Sequence, residues 1–149
     1  MYTIRRATLD DLAVIVDCNM RLANETENIR LDRATLTCGV HTALTDESKA
    51  LYFVAEADGR VVGMLMITYE WSDWRNGQIW WIQSVYVPPE WQRRGVFRAL
   101  YKHIHHLAQT RNVKGLRLYV EQTNTVAQTT YEHVGLNRSP YLTFECMPL

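Results

Sequence analysis

Gln92-Arg93-Arg94-Gly95 is a short basic loop whose residue types suit an anion. It follows the apolar run Val85-Tyr86-Val87 and the turn at Pro88-Pro89, and leads straight into Val96-Phe97-Arg98-Ala99-Leu100. Val96, Leu100, Ile104 and Leu107 recur at three- and four-residue spacing, which predicts a helix with one buried face. The first N–H groups of a helix have no intrahelical partner, and the helix dipole adds partial positive charge there, so a phosphate settles on such an end. Arg93, Arg94 and Arg98 add full charges. The loop is neither GxxxxGK[ST] nor GxGxxG, which disfavours a nucleoside-triphosphate P-loop and a dinucleotide turn. By itself it reads equally well as a phosphate cradle and as a solvated basic helix start.

A second stretch with chemical potential is Glu70-Trp71-Ser72-Asp73-Trp74-Arg75-Asn76-Gly77-Gln78-Ile79-Trp80-Trp81. Aromatic faces beside carboxylates attract ammonium groups, by about 0.5–2 kcal/mol per contact. Trp71 and Trp74 fit that use. Trp80 and Trp81 are adjacent, so on a strand they face opposite sides, and one can pack under a helix. An aromatic lid on the core, or a homodimer surface, is the alternative reading. His103, His105 and His106 share one helix, but no further ligands converge on them, so no metal site is expected. Cys18, Cys38 and Cys146 are too sparse and too far apart for a disulfide framework.

With 149 residues the chain fits a single domain, residues 1–149. Hydrophobic residues make up 47% and charged residues 21%, and the formal net charge is zero. A neutral chain has no global field to draw nucleic acid or an anionic membrane. The N-terminus lacks the apolar region of a signal peptide and no run reaches transmembrane length, so a cytoplasmic setting is expected.

These residues need a scaffold. Tyr2 to Ala7 reads as a strand. Thr8 with Asp11 forms a capping box for a helix over about Leu9 to Leu22. Ala23 to Leu31 is polar and reads as a loop or a broken helix. Asp32 caps a second helix that fades near Asp46. Leu51 to Ala57 and Arg60 to Tyr69 are strands joined at Asp58-Gly59, a strong hairpin signal. Arg75-Asn76-Gly77 marks a second turn, before a strand over Ile79 to Val87. After the Gly95 helix come a strand over Gly115 to Val120 and a helix over Asn124 to Val134, with Gly135 as its C-terminal cap. A final strand is expected over Tyr141 to Met147. The order β-α-α-β-β-β-α-β-α-β predicts a mixed, mostly antiparallel α/β sheet with helices on both faces.

That order, with Gln92-Arg93-Arg94-Gly95-Val96-Phe97 after the central strand, resembles the GNAT superfamily of N-acetyltransferases. The family pattern at this loop is Arg/Gln-x-x-Gly-x-Gly/Ala. Asn124, Ala127, Tyr131, Gly135 and Leu136 match a second family pattern near the C-terminus. Phe97 departs from the loop pattern, standing where the family usually has Gly or Ala. Turned inward beside Val96 and Leu100, it leaves the helix amides accessible; turned outward, it blocks them.

The resemblance implies acetyl-CoA as donor and a primary amine as acceptor, joined by direct attack in a ternary complex. Gln92, Arg93, Arg94, Gly95, Val96, Phe97 and Arg98 would hold the pyrophosphate. Val85, Tyr86 and Val87 would pair with the pantetheine arm, and Asn124 would contact the cofactor or simply cap its helix. Tyr131 would be the general acid. Glu25, Glu27, Glu70, Trp71, Asp73 and Trp74 would flank the acceptor. Gln83 sits where some relatives carry a carboxylate base, which leaves water and a side-chain carboxylate equally placed for deprotonation. A small-molecule amine is the first choice of acceptor. A protein or peptide amine, and a CoA-binding regulatory module without turnover, stand as alternatives.

Overall fold

The computed structural model describes all residues, 1–149, and the chain forms two compact units, Met1–Tyr119 and Val120–Leu149. The first unit holds a five-stranded sheet in sequential order: β1 (Thr3–Arg6), β2 (Leu51–Ala57), β3 (Arg60–Ser72), β4 (Gly77–Tyr86) and β5 (Gly115–Arg117). The first four strands are antiparallel to their neighbours, and β5 joins β4 in parallel. Helices α1 (Leu12–Glu27) and α2 (Arg33–Thr45) precede β2, and α3 (Val96–Thr110) links β4 to β5.

The turns follow their residue types. Asp58 and Gly59 both take positive φ, 52° and 73°, the geometry that matches strand twist in a two-residue hairpin. The Thr8 side chain and the Asp11 carboxylate satisfy each other's backbone N–H groups in a one-turn 3-10 segment ahead of α1. Asp11 is buried and takes both guanidinium nitrogens of Arg5 at 2.8 and 2.9 Å, and that pairing holds its carboxyl below the usual range. Asp32 caps α2 through the Thr35 N–H at 2.9 Å.

Side chains along the middle of the sheet divide between its two faces. Tyr52, Val54 and Met64 pack with Ile15, Val16 and Cys18 of α1 and Val40 of α2. The opposite face meets α3, whose Val96, Phe97, Leu100, Ile104 and Ala108 are buried. Gly63 sets how close α3 lies: a Cβ there would sit 2.6 Å from Val96 Cγ1. Trp80 is buried on the α3 side, paired in register with Leu116, while Trp81 is half-buried on the other.

Three expectations are corrected. Helix α1 does not stop near Leu22 but runs to Glu27, ending at Asn28 with φ 54° and a bond from the Ile29 N–H to the Ala23 carbonyl. Strand β5 is short, ending at Arg117. No strand forms over Tyr141 to Met147, although the side chains alternate as a strand would. In the second unit α4 (Thr125–His133) is capped by Asn124, whose Oδ1 accepts from the Ala127 N–H at 3.1 Å, and Gly135 follows at φ 101°.

Candidate active site

Strand β4 is not regular. Gln83 pairs with Met66 and Tyr86 with Met64, so three steps along β4 answer two along β3. The extra residue is a bulge, and Ser84 within it has φ 50°, a strained value for a non-glycine residue. The bulge reverses the alternation. Tyr86 would otherwise follow Trp80 and Ile82 toward α3; it turns instead to the α1 face. There its hydroxyl donates to Glu25 Oε2 at 2.8 Å. Arg21, one turn earlier on α1, reaches the same oxygen at 3.4 Å and lies 5.3 Å from the centre of the Tyr86 ring. Burial, then the Glu25 carboxylate, push the Tyr86 phenol up, so it stays protonated and serves only as a donor to Glu25.

On its other side β4 loses its partner. Pairing with β5 runs from Ile79 to Trp81 and stops. From Ile82 onward the β5-facing edge of β4 has no strand beside it, so an extended ligand can add to it by main-chain hydrogen bonds.

The loop after β4 is tied down at several points. Gln92 Nε2 donates to the Val87 carbonyl at 3.0 Å, and Tyr2 donates its hydroxyl to the Arg94 carbonyl at 2.8 Å. The Arg94 guanidinium lies 5.1 Å from the centre of the Trp91 ring. Arg93 and Gly95 take left-handed φ values of 60° and 80°. Gly95 is the residue before α3, and its carbonyl accepts the first helical bond, from the Ala99 N–H. The amides of Val96, Phe97 and Arg98 therefore have no helical partner. A Cβ at Gly95 would meet nothing within 4 Å, so the approach to those amides is open. Phe97 is 8% exposed and turned into the core, which leaves the helix end clear. Arg93 and Arg98 are exposed and enter none of the chain's ion pairs. The charge and backbone geometry of this helix start suit an anion.

The other expected acceptor residues scatter. Glu70 accepts from both Arg117 Nη1, at 2.9 and 3.0 Å, and Trp81 Nε1, at 2.8 Å, so its charge is already matched. Gln83 donates to the Thr68 hydroxyl at 2.5 Å. Trp71 (63% exposed), Asp73 and Trp74 (88% exposed) sit at the tip of the β3–β4 hairpin. Seven residues of strand separate Gly77 from Ser84, about 23 Å. Glu27 is exposed on the last turn of α1. Of the proposed acceptor group, Glu25 reaches Tyr86 at the end of β4, Glu70 bonds Trp81 near the middle of that strand, and Gln83 is part of it. Sequence reasoning missed Arg21, Arg117 and the bulge. The i,i+4 spacing of Arg21 and Glu25 was a readable signal; the other two leave none. Cys18 is buried and its thiol is pushed up to about 11, which makes it inert as a nucleophile.

The comparisons with known proteins agree with this geometry. The profile of the Acetyltransferase (GNAT) family matches residues 16–136. The chain belongs to the GNAT acetyltransferase family. It is 32% identical over 132 residues to a mycothiol acetyltransferase of Kytococcus sedentarius, a match over 87% of this chain and 43% of that protein. The chain thus spans less than half the length of that curated relative. A possible acetyltransferase from Clostridium difficile 630 superposes with TM-score 0.92 at 43% identity, over 100% of this chain and 99% of that one. A predicted acetyltransferase with acetyl-CoA from Clostridium acetobutylicum shares the fold, with TM-score 0.79 at 17% identity over 97% and 96% of the two chains. Acetyl-CoA is the GNAT family's donor, and the N-terminal end of α3, the left-handed Gly95 and the unpaired β4 edge fit it. No helix is long and apolar enough to cross a membrane.

Proposed function

We propose that the chain transfers acetyl from acetyl-CoA to the primary amine of a small molecule. The observation that supports this best is the succession of bulged β4, left-handed Arg93 and Gly95, and the N-terminal end of α3. Acetyl-CoA supplies the acetyl group as a thioester open to an amine nitrogen. In this reading the amides of Val96, Phe97 and Arg98, with the Arg93 and Arg98 side chains, bind its pyrophosphate. The main chain of Val85, Tyr86 and Val87 pairs with the pantetheine arm, and a Val85 or Tyr86 N–H donates to the thioester carbonyl. Such a donor is worth about 3 kcal/mol once charge develops on that oxygen. Asn124 caps α4 and, in this reading, also contacts the cofactor.

Tyr131 supplies a proton to the departing sulfur as the carbon–nitrogen bond forms and the carbon–sulfur bond breaks. Burial pushes its phenol up, so it carries its proton at neutral pH. Glu25 draws the acceptor's ammonium toward Tyr86, and water takes the proton that the ammonium must lose before attack. The inert Cys18 supports direct attack over a cysteine acyl-enzyme. The name of the Kytococcus relative supports a small-molecule acceptor.

Initial rates measured against both substrates test this reading. Intersecting double-reciprocal lines are expected; parallel lines, the mark of an acyl-enzyme, would overturn direct attack. In the same experiment Glu25→Gln should raise the KM for the amine about tenfold, or about 1.4 kcal/mol. The KM for acetyl-CoA should hold.

A further inference from the structure

Within the first unit, the α3 face of the sheet carries a cavity of about 450 Å³. Trp80 of β4 lines it, together with Tyr69, its partner in register on β3. Arg111, the residue after α3, and Glu47, in the turn before β2, line it as well. The volume falls in the range of about 300–1,000 Å³ that holds small molecules. Helix α3 has 15 residues, or about 22 Å of length. The cavity is at its C-terminal end, and Gly95 is at the other. Glu25 and Tyr86 lie across the sheet, on the α1 face.

The charge in the cavity is not balanced. Its one acid, Glu47, already pairs with Arg6 at 3.1 Å. Arg111 is exposed and enters none of the chain's ion pairs. The Tyr69 hydroxyl gives its proton to the Glu47 carbonyl at 2.6 Å and has none to spare. Trp80 is 2% exposed, and its Nε1–H is buried with no acceptor in the chain. Buried donors normally find an acceptor, so a ligand oxygen is what this one lacks. The Arg111 guanidinium lies 6.0 Å from the centre of the Trp80 ring, which puts cation and indole donor side by side. Tyr69 and Val113 add apolar surface. One free cation suits a monoanion better than a phosphate dianion.

We infer that this cavity binds a small organic carboxylate with a flat apolar body. The carboxylate accepts from Arg111, whose planar fork matches it, and from the Trp80 indole N–H. The body lies against Tyr69 and Val113. The site is independent of acetyl transfer at the other end of α3.

The test titrates benzoate into the isotope-labelled wild-type chain and follows its indole N–H signals by NMR. The signal lost in Trp80→Phe identifies Trp80. A saturable shift of that signal is expected with Kd about 1 mM, and acetate should bind at least about tenfold more weakly. Arg111→Gln should weaken benzoate about tenfold and leave CoA affinity within about twofold. No saturable Trp80 shift up to about 50 mM benzoate overturns the site. Acetate or inorganic phosphate binding as tightly as benzoate overturns the assignment, because a bare anion site would remain. A folded Arg111→Gln that binds benzoate unchanged overturns it too. The wild-type titration decides the matter even if that variant fails to fold.

Discussion

Tyr131→Phe is expected to lower turnover by about 10²–10³-fold while leaving acetyl-CoA binding within about twofold, as befits a proton donor used in the transition state. The change removes one oxygen and keeps the ring, so α4 should keep its fold. A phenol has a reference pKa near 10, roughly one to two units above an alkyl thiol, and burial moves Tyr131 further up. It is therefore protonated throughout the working range, and on the proposed mechanism it meets charge as charge appears on sulfur. The loss should fall on kcat, and shrink toward low pH, where solvent protonates the leaving thiolate more readily. A full-speed Phe variant would remove Tyr131 from the chemistry and leave the thiolate to depart unaided. Stopped-flow turnover together with CoA titration separates the two outcomes.

Gly95→Val should weaken CoA binding by about 100-fold, or about 2.7 kcal/mol. Two effects act together. Gly95 has φ 80°, where a β-branched residue is strained by about 1–3 kcal/mol. The new side chain would also fill the open approach to the amides of Val96, Phe97 and Arg98. Relief of the strain by moving the loop would pull at the Gln92–Val87 and Tyr2–Arg94 bonds that hold it. Arg98→Ala makes a useful contrast. It removes an exposed charge and should cost less, with the loss fading as salt rises. Calorimetric titration reads both; equal affinity in Gly95→Val would move the diphosphate away from the start of α3.

Much of this architecture is legible in the residues. Asp58-Gly59 needs left-handed backbone, and the hairpin follows. Thr8 with Asp11, and Asp32 with Thr35, announce their helix starts. Gly95, the Val96–Leu100–Ile104 stripe and the Asn124 cap lie where their types suggest. The misses have physical causes. Asn24-Glu25-Thr26-Glu27 lacks an apolar stripe, so it reads as a loop, yet the helix continues and closes on Asn28. That extra turn is what carries Glu25 to Tyr86. A bulge leaves no periodic trace, so the face on which Tyr86 emerges could not be read. Glu70 looks like a pocket charge until Arg117, 47 residues on, pairs with it. The alternation of Leu142 to Cys146 gives a strand's period, yet a strand needs a hydrogen-bonded partner as well as a period, and none forms there.

On the proposed function, the start of α3 holds the CoA pyrophosphate and the end of β4 presents the thioester to an amine held near Glu25 and Tyr86. The most direct measurement incubates the protein with acetyl-CoA and a panel of small primary amines, and follows thiol release together with the mass of the amine. The account predicts at least one amine gaining one acetyl group, with one free thiol released per amine acetylated. CoA bound tightly with no amine acetylated across the panel would contradict it, and would make the chain a CoA-binding module without turnover.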